Sequence, residues 1–515
     1  MENLKRVHWK SKLGFLLAAI GSAVGLGNIW RFPYVAYKNG GGAFLIPYLI
    51  ALLLVGIPLL VLEHGLGQLK KGSAPLAFGK IRRGWEYLGW WVSVFICFGL
   101  MLYYSAVLSW CVHYFGFSFS GAWGENTQAF FFQDFLQLSE SPFDIGSINW
   151  SIFAGIAVVW FVNWLVISRG IRKGIEIANK IGMPLLFATL LLLLVWSLLL
   201  PGASTGVAAL VVPNLSKLLS PSVWHDAFGQ IFFTLSLGSG VMIVFASYLP
   251  DRKNLTGNAI KTAAANSTVE LIAGFAVFAI IGYIATNAGK PIDQAVQSGP
   301  GLAFVVYPQA ISHLPFGNVP FGNVLFGALF FFTLLLAGLT SSISIIETFI
   351  SAAIDKFNWK RKPLVTVVCL VGFAGSAIFA TNAGLYWLDI IDHMLTNMGL
   401  LLVGFFEIIL VAWIFGAKRF IALIDRESNL KLGKFWIVTA KYITPLVLIA
   451  LFVISARQDF ITPYGGYPWE AIIVIGFGWL AATLIVAKAF SEAKWKTDHL
   501  EQEDTSEALI VEVME

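Results

Sequence analysis

Uncharged oxygen-bearing side chains stand inside several long apolar stretches of this sequence. Asn28 follows a glycine-rich run, Thr234 precedes another, and Asn266 and Thr340 lie in two further stretches. Amide and hydroxyl oxygens are hard ligands that suit a cation such as Na⁺, whereas soft metals call for cysteine or clustered histidine. Taken singly, such hydroxyl groups often bond back to a carbonyl of their own helix. Together, these residue types predict a site for a hard cation.

The first glycine-rich run, residues 21–27, is unusual for its surroundings. It lies within an apolar stretch, 13–36, that is long enough to span a membrane. Glycines weaken a helix interior, and Asn28 and Arg31 are costly in hydrocarbon. Unwinding inside a membrane is tolerated only where the freed backbone groups face protein, water, an ion or a substrate. We therefore predict a broken helix whose break is a binding site.

A second apolar stretch is interrupted by small and hydroxyl residues between Phe232 and Gly240. Taken alone, this segment is typical of close helix packing through small residues. Two interruptions five helices apart, however, are what an inverted five-helix repeat predicts for the discontinuous first helix of each half. We therefore expect two broken helices, the first and the sixth.

Composition puts both interruptions in a membrane. The 515 residues are 57% hydrophobic and 12% charged, which excludes a soluble globular domain. The chain is predicted to be an all-α integral membrane protein with about twelve transmembrane helices, in contact with the lipid bilayer. The predicted spans are 13–36, 43–66, 87–115, 149–167, 175–200, 227–248, 259–287, 325–352, 364–381, 386–415, 437–456 and 467–489. Without a nucleophile–base constellation or a cofactor motif, neither an enzyme nor a nucleic-acid partner is expected.

Basic residues mark one side of the predicted membrane. They cluster before the first span and in every second loop after it, whereas the intervening loops hold mostly single basic residues. By the positive-inside rule, both termini are expected in the cytoplasm, and an even number of spans agrees with that.

Five motifs carry a family resemblance. They are GLGNIWRFPY at 25–34, NGGGAF at 39–44, FTLSLG at 233–238, AGLTSS at 337–342 and WIFG at 413–416. The chain resembles the neurotransmitter:sodium symporter family, and within it the bacterial amino-acid transporters of the LeuT type. The resemblance implies a LeuT-type 5+5 inverted repeat in the plasma (inner) membrane of a prokaryote.

The same resemblance divides the chain into five parts. Residues 1–12 would form a cytoplasmic segment with inner-gate residues, 13–200 the first repeat and 201–416 the second. Residues 417–490 would add the eleventh and twelfth helices, and 491–515 an acidic cytoplasmic tail.

Two sodium sites and one substrate pocket are implied at the breaks. The first sodium site would use the Ala23 carbonyl, the side chains of Asn28, Thr234 and Asn266, and the substrate carboxylate. The second would use the carbonyls of Gly21, Val24 and Ala337 with the hydroxyls of Thr340 and Ser341. The implied substrate-binding residues are Ala23, Gly25, Leu26, Gly27, Leu100, Tyr104, Phe233, Thr234, Ser236, Ser239, Ser342 and Ile345.

Three positions refine what the resemblance implies. Gly25 stands where members that carry biogenic amines have an aspartate, so the substrate is expected to bring its own carboxylate. Ser239 stands where a leucine-carrying relative has phenylalanine, which favours a roomier apolar pocket. Glu270 stands where chloride-dependent members have serine, with Tyr48, Gln230 and Thr234 matching the other chloride ligands. A fixed carboxylate there would replace the anion, so no chloride requirement is predicted.

Two gates are also implied. The outer gate would pair Arg31 with Asp392, with Phe233 as the aromatic lid, and the inner gate would use Arg6, Trp9, Tyr248 and Asp355. The chain is thus expected to be a sodium-coupled symporter of a neutral, hydrophobic or aromatic amino acid, working by alternating access. The alternatives are a symporter of another carboxylate-bearing zwitterion, GABA-like or betaine-like, or a non-transporting sensor or channel on the same fold.

Overall fold

A computed structural model describes residues 7–250, 254–289, 291–292, 299–314 and 322–496. Within these residues the secondary structure is helical, apart from an isolated antiparallel bridge between Ile148 and Thr381. The predicted all-α class is confirmed.

The helices are numbered here in chain order. They are α1 Lys12–Ala23, α2 Leu26–Lys38, α3 Gly41–Lys70, α4 Ala74–Ile81, α5 Arg83–Ser120, α6 127–135, α7 Trp150–Ser168, α8 Ile171–Leu198, α9 Ala203–Leu219, α10 Pro221–Thr234, α11 Val241–Ser247, α12 Leu255–Ala288, α13 299–312, α14 Gly322–Phe357, α15 Arg361–Ala380, α16 Gly384–Arg426, α17 Gly433–Gly466 and α18 Trp469–Glu492.

The described helices agree with the predicted number of spans. Ten are long and apolar enough to cross a membrane: α3, α5, α7, α8, α12 and α14 to α18. The pair α1 and α2 forms an eleventh span, bent by 51° at its break. The remaining predicted span, 227–248, is divided between α10 and α11, each too short to qualify by length. The chain is therefore a multi-pass membrane protein with the two predicted interruptions.

The second interruption has a clear backbone cause. Ser236, Gly238 and Gly240 adopt φ values of +53°, +72° and +70°, in the left-handed region where a right-handed helix cannot continue. Ser236 is the only one of the three with a Cβ, so its conformation is uncommon for its residue type. The helix consequently ends at Thr234 and resumes at Val241.

Both breaks lie inside the bundle. The helix α14 packs against α1, α5 and α8, α12 packs against α2 and α8, and α3 contacts both α10 and α11. The residues at the breaks are buried accordingly, with Val24 at 0% and Leu237 at 0% exposure. Since these residues are enclosed by the bundle, the unwound backbone groups face protein or an internal space and not lipid.

Candidate functional site

The first break exposes carbonyls on one side and amides on the other. The N–H of Val24 donates to the Ile20 carbonyl at 2.7 Å and ends α1, whereas Gly25 is extended and α2 begins at Leu26. The last carbonyls of a helix and the first amides of the next have no partner within their own helix. The break thus presents the carbonyls of residues 21–24 and the amides of Leu26 and Gly27 within a few residues.

Several of these carbonyls converge on one hydroxyl. Ser341 Oγ lies 3.1 Å from the Val24 carbonyl oxygen and 3.3 Å from those of Gly21 and Ser22. A single hydroxyl proton satisfies only one acceptor at full strength, so the arrangement leaves neutral oxygens pointing at a shared space. One residue earlier on α14, Thr340 Oγ1 lies 3.0 Å from the Ala337 carbonyl. The five predicted ligands of the second sodium site therefore come from the C-terminal end of α1, including its cap Val24, and from the facing helix α14, and their oxygen chemistry fits Na⁺.

A second oxygen cluster joins three helices. Asn28 of α2 donates from Nδ2 to Thr234 Oγ1 at 2.9 Å and to Asn266 Oδ1 at 2.8 Å. Asn266 of α12 in turn donates to Thr234 Oγ1 at 3.0 Å. All three side chains are buried. The structure thus brings together the side chains predicted for the first sodium site, and Ala23, Asn28 and Thr234 all line one internal cavity.

The central cavity, of about 90 Å³, lies between the two breaks. The predicted substrate residues that line it are Ala23, Gly25, Leu26, Gly27, Leu100, Tyr104, Phe233, Thr234, Ser236, Ser239 and Ile345. Ile96, Val241 and Leu400 line it as well, although the sequence did not single them out. Ser342 does not line the cavity. Its hydroxyl donates to Asn163 Oδ1 at 2.9 Å on α7, because one step along α14 turns the side chain away from the cavity that Ser341 faces.

The polar end of the cavity contains an unsatisfied hydroxyl. The oxygen of Tyr104 is buried and makes no hydrogen bond of normal geometry with the described residues, although the Leu26 N–H and the Ser341 hydroxyl lie close enough to interact with it. It lies close to Gly25, where an added Cβ would be 3.6 Å from this oxygen and 3.2 Å from Ser341 Oγ. A buried polar group without a partner requires an explanation, and a ligand oxygen near the free amides would provide one.

Phe233, the predicted lid, packs closely against Gly27. An added Cβ at this position would lie 2.7 Å from Cε1 of Phe233, so a side chain there would push the ring away. The guanidinium of Arg31 stacks on the same ring, with its Cζ 4.5 Å from the ring centroid of Phe233. Asp392 accepts instead from the Tyr103 hydroxyl at 2.6 Å. Among the described contacts Arg31 and Asp392 form no direct ion pair, so the predicted outer gate is seen here as two separate interactions.

The predicted inner gate is closed around Trp9. This residue is 4% exposed, its Nε1 donates to the Phe245 carbonyl at 2.8 Å, and its backbone N–H donates to the Tyr248 carbonyl at 3.0 Å. The Tyr248 hydroxyl donates to Glu347 at 2.8 Å. Asp355 accepts from the backbone N–H of Ser73 at 2.8 Å. Arg6 lies outside the described residues.

Two buried carboxylates, Glu347 and Glu63, lie at the predicted inner gate and at the second break. Glu347 also pairs with Arg361, a partner that the sequence analysis missed because the two are fourteen positions apart on different helices. Glu63 accepts from the backbone N–H of Gly238 at 2.8 Å, within the unwound segment. In a continuous helix the Gly238 N–H would donate to a backbone carbonyl of the preceding turn, and here the Glu63 carboxylate replaces that carbonyl as the acceptor.

Glu270 occupies a fully buried polar shell. Gln230 Nε2 donates to its Oε1 at 2.6 Å, the Tyr48 hydroxyl donates to its Oε2, and Thr234 also contacts it. The Tyr48 hydroxyl lies 2.7 Å from Ser267 Oγ. The structure therefore brings all the predicted shell residues around this carboxylate.

The family follows from comparison of the whole sequence. The model of the sodium:neurotransmitter symporter family matches residues 6–129 and 124–497. The chain belongs to this family. Its two broken helices and enclosed oxygen clusters are thus those of a membrane transporter from a sodium-dependent family, and the expectation that it is not an enzyme is confirmed.

Relatives of known name extend over most of the chain. An uncharacterized sodium-dependent transporter of Methanocaldococcus jannaschii is 42% identical over 96% of this chain and 99% of its own length. The sodium- and chloride-dependent GABA transporter 2 of Mus musculus is 32% identical over 96% of this chain and 87% of its own. The sodium- and chloride-dependent neutral and basic amino acid transporter B(0+) of Homo sapiens is 33% identical over 91% and 82%.

Proposed function

We propose that this protein couples the movement of Na⁺ to the uptake of a neutral amino acid with a hydrophobic or aromatic side chain. The main support is the first break, where carbonyls and amides without partners in their own helices adjoin one cavity together with the buried Tyr104 hydroxyl. The carbonyls suit a cation, and the amides at the start of α2 suit a carboxylate, since the positive end of the helix dipole points at it.

Coupling has a direct physical basis in this arrangement. The substrate carboxylate would bind the amides of Leu26 and Gly27 and the Tyr104 hydroxyl, and would contact the first sodium ion beside Asn28 and Thr234. The substrate amine would face the carbonyls around Phe233 and Ser236. Each ligand then stabilises the conformation that the other binds, and such coupling is reciprocal by thermodynamic linkage. The second sodium ion would bridge α1 and α14 at Ser341.

The nature of the substrate side chain is inferred from the rest of the lining. Leu100, Phe233 and Ile345 are joined by Ile96, Val241 and Leu400, all apolar. Ser239 turns its hydroxyl to the Ser236 carbonyl, so its own polarity is satisfied within the wall. An apolar side chain is the complement of this surface. Gly25 carries no carboxylate of its own, which supports a substrate that supplies one.

The buried carboxylate supports transport without chloride. Glu270 already supplies a negative charge to a shell of hydroxyl and amide donors, and a second anion in the same space would be repelled. The archaeal relative is named for sodium alone, whereas the mouse and human relatives are named for sodium and chloride.

Alternating access would proceed between the two gates. The closed packing around Trp9 blocks the side on which the N-terminus lies, and the opposite side is covered by Phe233 and Arg31. Gate contacts need only bias two conformations of similar energy, so modest interactions suffice. We place both termini in the cytoplasm, at the plasma membrane of a prokaryote.

A GABA-like or betaine-like zwitterion is the second candidate. It is favoured by the similarity to the mouse GABA transporter and by Gly25, which accommodates a carboxylate on a longer backbone equally well. A channel or a sensor on the same fold is the third.

One experiment separates these candidates. Proteoliposomes with an inward sodium gradient are supplied with a labelled panel of twenty amino acids, GABA and betaine. We expect accumulation of at least one large neutral amino acid above the equilibrium level, and no accumulation after the sodium gradient is collapsed. Accumulation of GABA or betaine alone would establish the second candidate. Equilibration without accumulation would indicate a channel, and binding without uptake a sensor.

A further inference from the structure

An imidazole without hydrogen-bond partners lies behind the predicted inner gate. His64 of α3 is 0% exposed, and neither of its ring nitrogens has a hydrogen-bond partner among the described residues. Most buried polar groups are bonded, so an unbonded one requires an explanation. The side chain does not line the central cavity. The proposed sodium and substrate sites therefore do not account for it.

A row of aromatic rings connects His64 to the gate. The ring centroid of His64 lies 5.5 Å from that of Phe15 on α1, in an edge-to-face arrangement. The Phe15 centroid lies 6.3 Å from that of Trp9, and Trp9 lies 5.4 Å from Phe245 of α11, both again edge to face. The row thus runs from α11 to α3, and the chain before and within α1 supplies its two middle members.

Opening of the inner gate would uncover His64. The start of α1 is held by Trp9, whose two N–H groups donate to the carbonyls of Phe245 and Tyr248. The first break lies nine residues after Phe15, at Val24, which gives a lever of about 14 Å. When Trp9 leaves α11 and α1 turns about the break, Phe15 moves away from His64 and water takes its place. This step rests on the alternating access proposed above.

No charged group of the described residues is bonded to His64. α11 carries no acid or base between Val241 and Ser247. The titratable side chains on and around the neighbouring helices are Glu63 and Lys70 of α3, Lys12 of α1, Lys80 of α4, Tyr248 after α11, Lys261 of α12, Glu407 and Arg419 of α16, and Lys441 of α17. None of them bonds to either ring nitrogen. Glu63, the adjacent acid, binds the Gly238 N–H instead.

We propose that His64 is a proton site that is covered while the inner gate is closed and that takes up a proton from the adjacent aqueous side once the gate opens. In the closed conformation an imidazolium would be buried without an acceptor or a counter-charge, which is strongly unfavourable. Because the proton binds only the open conformation, acidity on this side holds the gate open by thermodynamic linkage. The proton has to leave on the same side before the gate closes, so it is not carried across the membrane.

Double electron–electron resonance on the full-length protein tests this directly. Spin labels at Lys12→Cys and Lys362→Cys, two exposed positions, report the separation of α1 from α15, whereas the native cysteines are buried. Sodium and substrate are left out, so neither biases the gate and no transport is needed. A histidine in water has a pKa of about 6.5. Protonation of the open conformation alone should therefore raise the ratio of open to closed molecules about tenfold between pH 7.5 and pH 5.5.

Two substitutions remove the proton site in different ways. His64→Phe keeps a ring against Phe15, and His64→Gln keeps a polar side chain, but neither binds a proton in this pH range. In each, the ratio of open to closed molecules should change less than twofold. The matched control is His113→Phe on α5, an imidazole whose nitrogens lie 2.8 Å from the Ser109 carbonyl and 2.9 Å from the Ser151 hydroxyl. This variant should keep the tenfold rise.

Three results would overturn the proposal. The first is a wild-type ratio that does not rise with acidity, including a gate that stays closed at both pH values. The second is a full rise in whichever His64 variant elutes as a single species, since another group would then bind the proton. The third is an equal loss of the rise in His113→Phe. Failure of the protein to accumulate any substrate would contradict the proposed symport and leave these distance measurements unaffected.

Discussion

The two breaks differ in what their backbones present. At the first, a bend of 51° is made over two residues. Asn28 Oδ1 accepts from the Gly25 N–H at 2.7 Å, while the carbonyls of residues 21–24 and the amides of Leu26 and Gly27 have no partner within their own helices. At the second, six residues intervene between α10 and α11, three of them left-handed, and Glu63 binds one of the freed amides. The first break is therefore open for ligands, whereas the second is largely satisfied by protein. We infer that the first break contributes most of the free energy of ligand binding, whereas the second mainly fixes the shape of the cavity.

The largest effect is expected from a side chain that supports the first break. Asn28→Ala removes hydrogen bonds to Thr234 and Asn266 and a proposed sodium ligand. Buried hydrogen bonds and their unsatisfied partners are worth about 1–3 kcal/mol, so substrate affinity in saturating sodium should fall about 10- to 100-fold in equilibrium binding. The matched control is Asn163→Ala, a buried asparagine outside the cavity, for which we expect little change in affinity. Equal losses of substrate affinity in the two variants would contradict the claim that Asn28 acts at the binding site.

The second break should respond in stability more than in affinity. Glu63→Leu leaves the Gly238 N–H without its acceptor and should lower the free energy of unfolding by about 1–3 kcal/mol. Glu63→Gln keeps an acceptor oxygen and should lose less. The check is the thermal midpoint of the purified protein, with sodium affinity measured in parallel and expected to stay within about threefold of the wild type. A loss of sodium affinity as large as that of Asn28→Ala would remove the contrast between the breaks.

Glu270 lies beside Thr234, where α10 ends and the second break begins. Wild-type uptake should persist when chloride is replaced by gluconate, because the carboxylate already satisfies its donors. In Glu270→Ser the surrounding donors no longer have a carboxylate to bind, and a chloride ion would take its place. Uptake should therefore become several-fold higher in chloride than in gluconate. Strong chloride dependence of the wild type would refute this assignment.

The smallest effect is expected at Gly25. In Gly25→Ala the new Cβ would lie 3.2 Å from Ser341 Oγ, so the neighbour has to move by a few tenths of an ångström. We expect substrate affinity to fall about two- to fivefold, at the low end of the cost of overpacking. Gly229→Ala is the control on α10, since its Cβ meets nothing within 4 Å. A larger effect at Gly229 than at Gly25 would mean that the cavity side of the first break is not critical.

The position of the first break was predictable from residue type alone, whereas the second was expected because it lies five helices after the first. Glycine and charged or amide residues inside an apolar stretch conflict with helix formation and with hydrocarbon, and that conflict can be read without tertiary contacts. The short helices α4, α9 and α13 were not predicted, because segments that do not span the membrane carry no hydropathy signal of sufficient length.

Within the site, residue identity was more predictable than orientation. Ser341 and Ser342 are adjacent in the sequence, and only the helical phase of α14 decides that Ser341 faces the cavity while Ser342 contacts Asn163. The contacts of Arg31 likewise depend on its conformation, since its long side chain stacks on Phe233 here and does not pair directly with Asp392. Sequence patterns name the candidates for a contact, whereas packing selects among them.

The central claim is that the first break binds sodium and a substrate carboxylate together. The most direct test compares sodium-driven uptake of the accumulated amino acid with that of the amine obtained by removing its carboxylate, in the same proteoliposomes. We predict that the amino acid is concentrated and that the amine neither accumulates nor competes at tenfold excess. Sodium-driven accumulation of the amine at a comparable rate would contradict the claim.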